Sequence, residues 1–516
     1  MNAILVRRII LTIIVATSLI FTATVSPVKS KSLPSQTDFD PLTDEIEVTV
    51  EIKKILSLEK FDRKIPVIEK IDWFSAPDFY VKVFINEVEF TSDVWHNTKY
   101  VYDPQWSATL VVPDDEEFVD IKIQLWDWNP GFDKLCDISS LYDEGYLDSF
   151  DVELSYSIKT GHWFGDDSSG LMPWAGDISG YGRLNGCDDR SFYQRDRDCE
   201  LWFNIFQTDP DGDGIPYWTE VNVYGTDPEN EDDSLRDDDF DGIPLWWEHK
   251  WGHYIWYNWW DEEYEYEWIY DPFVADNHST LDPDEDGLDN LEEYLVSEWD
   301  SDPFRDDVFV ELDYMEESPD GQQSILPDGS KELIRTAFNR QNIVFHLDDG
   351  CMGGTDIIPF EEMVDRNRLQ TFYLDYFLHG DENHWRRGVF HYGVIVYRAD
   401  FHGYVFLPDA WQISSKALEE NKTIPKTKAK RDVVFGSAYM HELGHTFGFN
   451  PIGGHDRDSA YPWQLGWWKW RPYKSCMNYG YMYKVVDYSD GSRGKNDFDD
   501  WDKERLDLTA FQSDWW

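Results

Sequence analysis

The chain has 516 residues, of which 45 are basic and 102 acidic, for a net charge of −57. An apolar fraction of 41% with 17% aromatics excludes wholesale disorder, because such a chain can bury enough surface to offset ordering entropy. The charge excludes nucleic acid as a partner, since phosphates would be repelled, and five cysteines are too few for a disulfide-dense scaffold.

The length predicts about three domains, and the acidity favours cations as partners. At the N-terminus Arg7 and Arg8 precede an uncharged run from Ile9 to Val25, with small residues after it. Residues 1–30 therefore read as a secretory signal peptide, the other reading being an uncleaved N-terminal anchor. Either way the mature chain is expected to be secreted or at the cell surface. Asn277-His278-Ser279 and Asn421-Lys422-Thr423 are N-glycosylation sequons, in agreement with export.

Residues 31–206 alternate apolar and polar side chains, as in Val48-x-Val50-x-Ile52, Phe79 to Ile85 and Phe118 to Leu125. Period-two runs separated by turn residues predict an all-β domain, a sandwich before a barrel. Cys187 and Cys199 flank one short polar loop and are expected to form a bridge. The runs Asp72-Trp-Phe-Ser-Ala-Pro-Asp78 and Leu125-Trp-Asp127-Trp-Asn-Pro-Gly-Phe-Asp133, with Asp137 nearby, resemble the calcium loops of the membrane-binding β-sandwich of protein kinase C and synaptotagmin. That resemblance implies calcium at one end of the sandwich. Trp73, Phe74 and Trp128 at such a tip would meet a membrane or a cell-surface glycan.

Residues 207–306 concentrate the charge: from Asp209 to Asp307 there are 33 acidic and 3 basic side chains. Three copies of D-x-D-x-D-G with a glutamate at the twelfth position stand here. They are Asp209, Asp211, Asp213 and Glu220; Asp237, Asp239, Asp241 and Glu248; and Asp282, Asp284, Asp286 and Glu293. Alternate carboxylates can turn inward around one hard cation, glycine permits the tight turn, and the glutamate can reach back from the next segment. The first and second copies start 28 residues apart, the second and third 45 apart; the extra 17 residues fall in the aromatic stretch Trp251 to Trp268. An apolar residue follows each glycine directly (Ile215, Ile243, Leu288). In this the copies resemble thrombospondin type 3 calcium repeats, which implies extracellular Ca2+ in a structural, spacer-like role.

Residues 307–516 carry the chemistry. Val433 to Phe449 reads as a helix containing His441-Glu442-Leu443-Gly444-His445. Residues four apart share a helix face, so both imidazoles can hold one Zn2+. Such an ion would lower the pKa of a water to near 7, and Glu442 would take its proton as general base. Gly448 stands where the helix must stop, and Ser475-Cys476-Met477-Asn478-Tyr479 follows. Here the sequence resembles the metzincin zinc peptidases, with HExxHxxG and a methionine turn. The resemblance implies that Met477 floors the metal, that Tyr479 steadies the oxyanion, and that the substrate is a protein or peptide. It also implies a third ligand at position 451, which is a proline. Gly453-Gly454-His455-Asp456 follows, and a loop insertion is expected to return either His455 or Asp456 to the metal. Asp306 to Leu312, Ile343 to Phe345 and Tyr392 to Tyr397 are expected sheet strands, Arg505 to Phe511 a closing helix, and His391 a strand histidine.

The whole therefore reads as multidomain: a sandwich, calcium repeats, and a C-terminal α/β metzincin-like catalytic domain. The expected activity is that of a secreted, calcium-stabilised zinc endopeptidase (a hydrolase). The rival reading is a non-catalytic, calcium-dependent adhesion protein with a degenerate zinc site.

Overall fold

Alternating burial builds the first lobe of the computed structural model, which describes residues 46–58, 76–113, 116–139, 150–166, 182–187, 197–258, 263–420, 427–449, 453–502 and 508. The signal segment, the loop with Asp72, Trp73 and Phe74, the Asn421 sequon, Pro451 and the closing helix apart from Leu508 lie outside the described residues. Among the described residues the strands in order are β1 (Ile46–Ser57), β2 (Phe79–Ile85), β3 (Val88–Thr91), β4 (Tyr100–Val112), β5 (Phe118–Asp127), β6 (Lys134–Cys136), β7 (Val152–Ser157), β8 (Trp163–Gly165), β9 (Gly182–Asn185) and β10 (Cys199–Gln207). One sheet runs β4-β1-β10-β9 and the other β3-β2-β5-β7-β8, with β6 beside β5. Val48, Val50, Leu201 and Phe203 from the first sheet meet Val81, Val83, Ile121 and Ile123 from the second in one core. Side chains that alternate across each strand give every strand one face to that core, so the expected sandwich is the structure seen.

The expected Cys187–Cys199 bridge does not form; both residues are buried thiols. The reason is register. Glu200 pairs with Asn185, so Cys199 lies across from Gly186 and Cys187 across from Asp198. Adjacent positions point to opposite sheet faces: Cys199 packs into the sandwich core and Cys187 into a separate cluster on the other side.

That separate cluster joins the lobes. Leu56, Leu58 and Trp202 of the sandwich pack with Ile243, Trp247, Trp251, Tyr270 and Phe304 of the acidic segment, and with Val344 beyond it. Polar contacts continue the join: Asn185 Nδ2 donates to the Asn339 carbonyl at 2.7 Å and Arg340 Nε donates to the Leu58 carbonyl at 2.6 Å. Within the longer spacing between the second and third acidic loops, β11 (His253–Asn258) and β12 (Glu263–Trp268) pair antiparallel.

The last lobe is a six-stranded sheet of β13 (Asp307–Met315), β14 (Val344–Asp348), β15 (Ile357–Ile358), β16 (Phe390–Val396), β17 (Gly403–Leu407) and β18 (Ala410–Ser414). Its order is β14-β13-β16-β18-β17, with β15 against the end of β13. All pairs are parallel except the edge strand β17, which runs antiparallel to β18. Val308, Val310 and Leu312 enter the core under the helices Asp328–Asn339 and Lys428–Thr446. Phe309 and Met315 enter a second core on the opposite face, with Leu369, Phe372 and Phe377. Parallel strands covered on both faces read as continuous apolar runs, which is why β13, β14 and β16 were visible in the sequence.

Candidate metal centres

From Val434 to Gly444 every residue of the helix Lys428–Thr446 is buried, because sheet, helix and the 473–488 segment enclose it together. Its end is set by Gly448, whose φ is +77°. Phe449 N–H donates to the Gly444 carbonyl at 3.0 Å and Gly448 N–H to the His445 carbonyl at 3.2 Å. These two bonds define a Schellman turn, which needs a left-handed residue and so favours glycine. The turn also aims the Phe449 carbonyl backward, 2.9 Å from His445 Nδ1.

His441 Nδ1 stands 2.8 Å from the Cys476 carbonyl. In both rings a backbone acceptor holds the proton on Nδ1 and leaves the Nε2 lone pair facing inward. His455 supplies the third nitrogen. Its Nε2 lies 3.2 Å from His441 Nε2 and 3.2 Å from His445 Nε2, and the three donor atoms fall within 4.8 Å of one another. A tetrahedral zinc with bonds of ~2.0–2.1 Å would separate its nitrogens by roughly 3.3 Å, so the triad fits such an ion. Asp456 does not take part: it is exposed and accepts from Ser459 Oγ at 2.9 Å. The glycine pair works by close approach. A Cβ at Gly453 would strike the Trp470 ring, and Gly454, at φ +86°, lies against Asn478 and Tyr473.

Glu442 is buried, and burial pushes its carboxyl up to about 8. It abuts the start of the edge strand: a Cβ at Gly403 would stand 2.6 Å from Glu442 Oε1. Met477 is fully buried beneath the helix, where a Cβ at Gly444 would meet its sulfur at 2.8 Å. Tyr479 sets its ring 4.5 Å from His455 and 5.8 Å from His441. His391 is a buried strand histidine whose Nε2 meets the Leu508 carbonyl at 2.6 Å, as its sequence position suggested.

The three acidic loops share one geometry. Gly214, Gly242 and Gly287 take φ of +89°, +103° and +102°. Each donates its N–H to the first aspartate of its loop, Asp209, Asp237 or Asp282, at 2.9–3.1 Å. Ile215, Ile243 and Leu288 are buried. Asp209, Asp211 and Asp213 bring oxygens within 4.8 Å, as do Asp237, Asp239 and Asp241. Glu220 and Glu293 are buried with neither carboxylate oxygen hydrogen-bonded, and Glu248 Oε1, Asp211 Oδ2, Asp239 Oδ2 and Asp284 Oδ2 are likewise unpartnered. Burial pushes Glu220 up to about 8 and Glu248 up to about 9, and raises Glu293, Asp284 and Asp286 well above the carboxylate range. Buried acceptors without donors are costly, and a divalent cation is the group that would satisfy them. Two further residues complete the first two clusters: Asp233, part of the closing Asp232-Asp233 pair that the thrombospondin type 3 resemblance includes, beside Asp213 and Glu220, and His278, unforeseen from the sequence, beside Asp241 and Glu248.

The sandwich tip is different. Asp127 is fully buried and accepts from Asp78 N–H and Asn129 Nδ2, while Asp133 accepts from Tyr80 Oη and Asn129 N–H. Lys134 Nζ stands 3.8 Å from Asp127. These carboxylates already have donors. Phe132 and Trp128 beside them are exposed, at 91% and 41%.

No family model and no curated protein matches the chain. Among solved structures it is similar to a C2 domain, at 11% identity and a TM-score of 0.18, over 31% of this chain and 97% of that one. It is similar to human GIVD cytosolic phospholipase A2 in complex with an inhibitor and terbium chloride, at 11% identity and a TM-score of 0.18, over 32% of this chain and 17% of that one. The calcium-bound pair of C2 domains of extended-synaptotagmin 2 matches at 11% identity and a TM-score of 0.18, over 32% of this chain and 46% of that one. The chain thus spans under a fifth of the phospholipase and about half of the synaptotagmin structure. Among the described residues no helix is long and apolar enough to cross a membrane.

Proposed function

We propose that the chain is an exported, calcium-stabilised, zinc-dependent endopeptidase. The observation that carries this reading is the convergence of three imidazole Nε2 atoms, two of them oriented by backbone carbonyls, next to a buried carboxyl on the same helix. His441, His445 and His455 would hold the zinc, which when bound supplies Lewis acidity toward a carbonyl and acidifies a water. Glu442, on the same helix, would hold and move the proton, accepting it from the attacking water and releasing it to the leaving amine. Tyr479 borders the same space and can donate its hydroxyl proton to a developing oxyanion. Among the described residues β17 pairs only with β18, so its outer edge can receive an extended peptide by strand addition beside Glu442.

Export rests on the 1–30 segment, and calcium on the orphaned carboxylates of the acidic loops. A second reading concerns the sandwich: exposed Phe132 and Trp128 suit a membrane or glycan surface, and a pure adhesion protein would use that tip alone. Hydrolysis of an unfolded protein such as casein decides between them. The peptidase reading expects cleavage that a zinc chelator abolishes and added zinc restores. Absence of cleavage from the zinc-loaded chain, or cleavage indifferent to the chelator, overturns it.

A further inference from the structure

The three acidic loops are copies of one design with one substitution in the closing donor. Asp233 stands 24 residues after Asp209, and Asp306 stands 24 after Asp282. In the middle copy the β11–β12 insertion adds 17 residues, so the matching position lies 41 after Asp237, and it is His278. In the first two copies the two positions meet the same partners: Asp233 closes on Asp213 and Glu220, and His278 closes on Asp241 and Glu248; the backbone N–H on the third aspartate comes from Asp276 in the middle copy and from Asp307 in the last.

His278 is 1% exposed, and so is Glu248. The imidazole Nε2 stands 3.1 Å from Asp241 Oδ2. Its Nδ1 is 3.0 Å from the side-chain amide of Asn290, whose buried Oδ1 has no partner. Turning that amide over puts Oδ1 on Nδ1 as acceptor, which fixes the proton there and frees the Nε2 lone pair toward the loop. Glu248 Oε1 is buried without a hydrogen bond and belongs to the same cluster. Calcium takes oxygen donors, whereas imidazole suits first-row transition ions and carboxylates suit manganese as well as calcium.

We propose that the middle loop is a mixed nitrogen–oxygen site for a divalent first-row transition ion, held by Asp237, Asp239, Asp241, Glu248 and His278, while the flanking all-oxygen loops take calcium. Calcium alone then leaves the acidic segment incompletely loaded.

The test uses the full chain with His441→Ala and His445→Ala, which removes the other imidazole cluster and makes the result independent of the peptidase reading. After dialysis against excess calcium and limiting manganese, this chain is expected to keep one manganese. Pulsed electron paramagnetic resonance should show one imidazole nitrogen coupled to it. His278→Asp, which restores the residue of the other two copies, should weaken manganese at least about 100-fold and add one calcium. Manganese that is fully displaced by calcium, or that shows no nitrogen coupling, overturns the proposal and leaves His278 as a hydrogen-bond donor to Asp241. Should the His278→Asp chain fail to fold, the nitrogen coupling in the parent chain decides the matter alone.

Discussion

His455 Nε2 stands 3.2 Å from His441 Nε2 although 14 residues of chain separate them. Two neutral imidazole nitrogens facing each other with their lone pairs repel unless a proton or a cation lies between them. His455→Ala should therefore lower zinc affinity at least about 100-fold, more than the loss of an outer-sphere partner costs. Asp456→Ala should leave it unchanged, because that carboxylate accepts from Ser459 instead. Zinc titration with a competing chelator measures both; equal losses in the two variants would contradict the ligand assignment.

Gly448 connects backbone conformation to the His441–His445–His455 cluster. An alanine there must hold φ near +77°, at a cost of about 1–2 kcal/mol, or else abandon the turn that aims the Phe449 carbonyl at His445. Gly448→Ala should lower stability by that amount and weaken zinc about 10- to 100-fold. Denaturant unfolding of the zinc-free chain, followed by zinc titration, separates the two effects.

The acidic segment should fold in proportion to its ions. At calcium 1,000-fold above its dissociation constant, each site adds about 4 kcal/mol. Glu293 is buried with both oxygens unpartnered, so Glu293→Gln should stabilise the calcium-free chain while reducing the gain from calcium. Thermal melts over a calcium series read both signs. A calcium-free chain as stable as the loaded one would refute the structural role of the loops.

How much of this was legible in the sequence follows from the range of each interaction. The helix with His441, Glu442 and His445 was readable because four-residue spacing fixes a shared face locally. The strands of both sheets were readable from alternation or continuous apolar runs. The choice of His455 over Asp456 was not, since it depends on how Gly453 and Gly454 wedge against Trp470, Tyr473 and Asn478. The absence of a Cys187–Cys199 bridge was not legible either, because proximity in sequence says nothing of which sheet face a side chain takes. His278 was hidden by the 17 extra residues, although the 24-residue offset shared by Asp233 and Asp306 could have exposed it once the insertion was subtracted.

Arg183 and Glu200 form an ion pair with neither side chain exposed, and Arg183 Nη1 also reaches Asn342 Oδ1 across the join to the last lobe, at 2.5 Å. Arg183→Met strands the Glu200 carboxylate and should cost about 3–5 kcal/mol. Arg183→Met with Glu200→Met should cost less than the single change, because no buried charge is left alone. Chemical denaturation of the calcium-loaded chains checks the order; a double variant weaker than the single one would contradict it.

The most direct test of the peptidase account is Glu442→Gln, assayed for zinc and for peptide hydrolysis on the same preparation. Zinc held through His455 is expected to be retained while hydrolysis falls by about 10²- to 10⁴-fold. Unchanged hydrolysis with zinc in place would contradict it.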